Sequence, residues 1–261
     1  MTKRVIKIGI LISMPSWNDE GFVLSARAHG ETNAVVSLFT AAHGRHMGLL
    51  HGGASKSKKA VIEVGNFVSA EWQARLDEQL GAYQIEMMRA YSSVVLDDSM
   101  KLAALSSACA LLDQALPERE PQAGIYAATA ALFEVFYLSS ESDQWVPAYL
   151  KWEIGMLDAL GFGLDVSRCA VSGQSEGLAY ISPRTGHAVQ KAHAGPYESR
   201  LLPLPACLGG AEDLPDELSA GLAVTGHFLQ KHIFSLVHKE LPQSRIRLAY
   251  LVSNRYKNTS D

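Results

Sequence analysis

Lys56, Lys58 and Lys59 lie close together in a segment, residues 52–59, that also holds two glycines and two serines. Ammonium groups on such a backbone can follow a chain of phosphates without reading its sequence. A solvated, mobile loop has the same composition, and both readings stand at this point. Arg27, Arg45, His46 and Arg75 fall at the ends of neighbouring strand-like segments. If those strands close into a barrel, several of these cations share one positive groove. Aromatic partners for stacking are few: Phe67, Trp72 and Tyr83 are the candidates, and each also fits a core position.

Other chemistry finds less support. The chain has no phosphate-loop spacing, no Gly-x-Ser-x-Gly, no His-Glu-x-x-His and no Gly-x-Gly-x-x-Gly. Its nine histidines show no metal-binding spacing. The run from Cys169 to Gly173 resembles half of a zinc knuckle, with Ser172 where a second cysteine belongs. His187, His193 and Cys207 are the residues left to complete such a site, and nothing in their spacing requires it. Cys109 lies on a helical stripe and reads as core. The expectation is a protein with no catalytic residues, no bound metal and no cofactor.

The elements that must position the cations come in two kinds. From residue 21 apolar residues alternate: 21–27, 33–40, 45–51, 64–74 and 82–89 read as strands joined by tight turns, with 52–59 as a loop. Five short strands of this kind point to an OB-fold barrel. After residue 96 the period changes. Leu102, Leu105, Cys109, Leu112 and Leu116 step by three and four, a helix that Pro117 stops. Residues 123–138 and 147–160 give two more helices, and 215–239 a last one. Residues 163–215 lose periodicity apart from a strand-like piece at 178–182. The expected class is α+β: an extension over 1–16, an OB-fold over 17–92 and a mainly α-helical domain over 93–261, with a degenerate zinc-knuckle-like insertion at about 163–200.

Composition agrees with this division. Hydrophobic residues make up 48% and charged residues 19%, enough to build cores. The net charge of −4 hides an asymmetry. Residues 1–95 hold ten Lys/Arg against eight Asp/Glu, and the rest thirteen against nineteen. The front part is the better match for an anionic partner. Three scattered cysteines argue against a disulfide framework and for a reducing, cytoplasmic setting. The apolar run at 5–14 is short, interrupted by Lys7 and followed by no small-residue cleavage site, so it reads as an extension and not a signal peptide.

The residues also resemble a family. Asp19-Glu20-Gly21-Phe22-Val23-Leu24, Gly30-Glu31-Thr32, Phe39-Thr40, Gly44-Arg45 and Gly52-Gly53-Ala54 look like the amino-terminal domain of the RecO DNA-repair proteins. Leu157 to Gly161, Cys169, Gly173, Tyr180-Ile181-Ser182-Pro183, Gly186 and Ser244-Arg245 look like the rest of that family. The resemblance implies an OB-fold followed by helices and a recombination mediator associated with the nucleoid. Such a mediator binds single- and double-stranded DNA, anneals strands, and works with RecR and RecF to load RecA onto DNA coated by single-strand-binding protein. It implies contact with the acidic, Phe-ending tail of single-strand-binding protein, for which Lys151, beside Trp152, occupies the place of a family arginine. The zinc site of some members is not implied, because only Cys169 of its four cysteines is kept. By the same resemblance Arg245 either contacts DNA or pins the last segment, and the structural role is preferred.

Overall fold

The computed structural model describes residues 14–139, 145–212, 214 and 216–257. Of the expected extension, residues 1–13 lie outside the described residues. Ser16 already pairs with Gln73, so the first strand starts earlier than its alternation suggested. Five strands, β1 (Ser16–His29), β2 (Asn33–Thr40), β3 (Gly44–Leu50), β4 (Phe67–Gln73) and β5 (Ala82–Arg89), close into a barrel in the order β1-β2-β3-β5-β4. All pairings are antiparallel except β3 with β5. Closure removes the exposed edges that would otherwise invite pairing with another chain.

Two features correct the sequence reading. The expected loop at 52–59 contains the start of a helix, α1 (Lys56–Val61). Ser55 caps it, its side chain accepting from the Lys58 backbone N–H. So short a helix is marginal on its own. Asn66, buried, donates its carboxamide to the carbonyls of Ala60 (3.0 Å) and Val61 (3.3 Å) at the far end. Ile62 then packs into the barrel core with Val23, Val36, Leu38, Leu50, Val68, Trp72 and Tyr83. As a result β4 begins at Phe67 and not at residue 64.

The barrel is buried on one outer face as well. Val23 faces the interior, whereas Phe22, Leu24 and Phe39 belong to the core of the helices. There Phe22 meets Phe133 edge to face, with centroids 4.9 Å apart. A short turn, α2 (Tyr91–Val94), leads into α3 (Ser99–Ala115), α4 (Ala123–Leu138) and α5 (Val146–Ala159). Asp98 caps α3 through the N–H groups of Met100 and Lys101. Gly44 sits at φ 63° against the backbone of Glu120, where a Cβ would lie 2.0 Å from the carbonyl oxygen. Only glycine lets the β2–β3 turn approach the α3–α4 connection this closely.

The insertion is more ordered than its composition suggested. Strands β6 (Asp165–Cys169), β7 (Leu178–Ile181) and β8 (His187–Gln190) are followed by α6 (Lys191–Ala194) and β9 (Leu202–Pro203). They form a sheet in the order β6-β8-β7-β9, of which only β7 was anticipated. The Cys169 sulfur accepts the N–H groups of Val171 and Gln190, each at 3.4 Å, and Ser172 Oγ donates to Gln190 Oε1 at 2.6 Å. Burial raises the Cys169 pKa, but hydrogen bonds from Gln190, Ser172 and Val171 outweigh it and bring the thiol down to about 7. Packed loop and sulfur acceptor hold the turn together.

The expected last helix is divided. Helix α7 (Glu217–Leu229) runs on through a π turn at Gln230–Phe234 and a 3-10 turn at Ser235–Val237. A further helix, α8 (Gln243–Lys257), packs against α3. Arg245 of α8 is 1% exposed. Its Nε and Nη2 donate to the two carboxylate oxygens of Glu153 of α5 (2.5 and 3.0 Å), and Nη2 also donates to the Leu222 carbonyl and to Thr225 Oγ1 of α7. Its role is structural, tying three helices together.

Candidate nucleic-acid interface

Lys56, Lys58 and Lys59 are all exposed on α1, at the end of the barrel that this helix closes. A capped helix presents their charges from a fixed backbone, which lowers the ordering cost of binding relative to a loop. Lys58 is partly committed, its Nζ donating to the His51 carbonyl at 2.6 Å. Arg27, near the end of β1, has a side chain 80% exposed and approaches Asp113 only at 4.0 Å. Arg27 and Lys59 line one cleft together with Asn33, Glu63 and Ile62. Arg75 is exposed just after β4.

Two expected cations are placed differently. Arg45 turns toward the helices: its Nε donates to the Leu116 carbonyl at 2.9 Å and its NH1 lies 4.0 Å from Asp113. Its own carbonyl accepts from Arg119 N–H at 2.7 Å. Arg45 therefore joins barrel to helices. His46 is 3% exposed, with Nδ1 3.2 Å from Tyr83 Oη. Burial, with the nearby Arg119 charge, lowers its pKa to about 4, so it is neutral at pH 7 and carries no charge to a phosphate. The stacking candidates Trp72 and Tyr83 are buried in the barrel. Trp72 Nε1 donates to the Leu80 carbonyl at 2.9 Å, and Arg119 lies over the ring.

On the helical side Lys151 is exposed. Trp152 is not beside it at the surface: it is buried and donates Nε1 to Thr129 Oγ1 at 3.1 Å. Sequence reasoning missed a different feature. Between the barrel and α4 lies an apolar groove of about 460 Å3, with Phe22, Phe67, Tyr91 and Tyr126 in its walls and Arg89 at its rim. Arg89 pairs with Glu134 and contacts Tyr91 Oη. The alternation of β5 marks Met88 and Arg89 as a strand end, but no local pattern shows that α4 comes to face them.

Together these features define a class: an OB-type barrel with an exposed basic helix at one end, sharing a core with a helical body. The family model for the recombination protein O amino terminus matches residues 14–91, and that for the recombination protein O carboxy terminus matches 96–242. A protein of Rhodospirillum centenum called DNA repair protein RecO is 50% identical over 238 residues, 88% of this chain and 92% of the relative. Proteins of the same name from Rhodospirillum rubrum and Cereibacter sphaeroides are 45% and 43% identical, covering 90% and 92% of this chain and 95% and 99% of their own lengths. The chain belongs to the RecO family. Helix α8, with Arg245, lies beyond the matched span.

Proposed function

We propose that this protein is a DNA-binding recombination mediator that acts without a chemical step. The observation that carries the reading is the exposed lysine set on α1, supported by the family. Lys56, Lys58 and Lys59, with Arg27 and Arg75, neutralise backbone phosphates on single and double strands. Two strands neutralised on one surface repel each other less, and pairing proceeds. In this reading the protein works with RecR and the RecF pathway at strands coated by single-strand-binding protein, where RecA is loaded. The test is annealing of complementary labelled oligonucleotides. The Lys56→Ala/Lys58→Ala/Lys59→Ala variant is expected to anneal at least about ten times more slowly, since it loses several phosphate contacts. Annealing at the wild-type rate would refute the reading.

The groove at Arg89 favours a second activity, as an adaptor for an acidic, Phe-ending protein tail. An apolar pocket beside a cation suits a terminal aromatic ring and its carboxylate, which here must take the place of Glu134 on Arg89. Lys151 remains the other candidate cation. Peptide titration of Arg89→Ala against Lys151→Ala separates the two places, and DNA affinity unaffected by the lysine variant would make the adaptor activity primary. Among the described residues no helix is long and apolar enough to cross a membrane.

A further inference from the structure

A cleft of about 290 Å3 runs between the β1–β2 hairpin and α1. We infer that this cleft receives one unpaired nucleobase of a bound single strand, with an adjoining phosphate resting on Lys59. The inference rests on the DNA-binding reading above and adds strand selectivity to it.

Lys59 of α1 lines the cleft with its cation; Arg27 of β1 lines it too, but its side chain leaves the opposite face of the strand, toward Asp113. Arg27 is held only loosely by Asp113. The Lys59 ammonium makes no hydrogen bond or ion pair to the described residues, unlike that of Lys58. Each base in a strand hangs beside a phosphate, so a free cation at the edge of an otherwise largely apolar cleft suits that arrangement. Ala28 and Ala34 are register partners across the hairpin, and with Ile62 they give the cleft apolar walls. A flat heterocycle gains from leaving water against such walls. The volume lies at the small end for ligand sites and is enough for one base.

Glu63 adds selectivity. It lines the cleft without an ion pair to the described residues. Its carboxylate repels phosphate and accepts from an exocyclic amino group, so the strand enters base first. A duplex must first unstack and unpair a base to do the same. The cleft therefore favours single strands, while the surface lysines serve both forms.

The experiment fills the cleft. Ala28→Leu places a larger side chain at an exposed position of β1, and Ala26→Leu, also exposed and also lining the cleft, serves as a second variant. Binding is measured by anisotropy for a mixed-sequence single strand and for its blunt duplex, after thermal melting shows which variants fold. The ratio of single-strand to duplex affinity is expected to fall about five-fold, the loss of burying roughly 40 Å2 of one base against apolar walls. An unchanged ratio in the folded variants overturns the inference. The triple lysine variant separates this from failure of the wider reading. If that variant loses affinity for both forms while the ratio stays fixed in the cleft variants, only the cleft is wrong. If it binds both forms like wild type, the DNA-binding surface lies elsewhere and the inference falls with it.

Discussion

The salt dependence of DNA binding can be worked out from which cations the fold leaves free. Each phosphate neutralised on duplex DNA contributes about 0.9 to the slope of log affinity against log salt, and on single strands about 0.7. Lys56, Lys58, Lys59, Arg27 and Arg75 are exposed, while Arg45 is bound to the helices and His46 is buried and neutral. If the exposed set acts alone, the duplex slope is about −4.5, and affinity falls about 500-fold between 50 and 200 mM salt. Counting Arg45 and His46 as well would give a slope of about −6 and a fall of several thousand-fold. Removing the three lysines should reduce the magnitude of the slope by about 2.7 on duplex and about 2.1 on single strands. Anisotropy titrations of wild type and the triple alanine variant from 50 to 300 mM sodium chloride measure both quantities. A slope near about −5.4 would show that Arg45 leaves its place at Leu116 on binding, and one near about −6.3 that His46 also becomes exposed and charged. A slope that the triple substitution does not change would refute the assignment of α1 as the contact.

Two further outcomes follow from buried groups. Arg245→Ala leaves the Glu153 carboxylate fully buried without its guanidinium, and should cost about 3–5 kcal/mol in urea denaturation; replacing both residues by leucine should recover most of that loss, and a single-variant cost below about 1 kcal/mol would show that the pair is dispensable. His46 binds its proton less well folded than unfolded, because its pKa drops from an ordinary 6.5 to about 4. The unfolded state therefore holds more protons between those values, and stability rises with pH from about 4 to 6.5 and is flat above that range for this group. Replacing His46 by glutamine should flatten that part of the pH–stability profile, and a profile as steep as wild type would refute the assignment.

The barrel was legible because a strand half in the core writes its geometry as an alternation of period two, and five such runs with tight turns leave few architectures open. The same rule explains the errors. Helix α1 is only as long as a strand or a loop, and what makes it helical is a capping serine before it and Asn66 reaching back to its end, the second of which is invisible until the chain has folded. Strands β6, β8 and β9 are too short to show any period, and they are held by the Cys169 sulfur and by partners far along the chain. For the site, residue type identified the cations but not their commitments. Arg45 and Lys59 look alike as letters. One finds the Leu116 carbonyl 71 residues away, and the other finds no partner among the described residues. Charge could be read from sequence, whereas availability depended on what the fold had already used. That difference separates the residues proposed to contact DNA from those that hold the barrel against its helices.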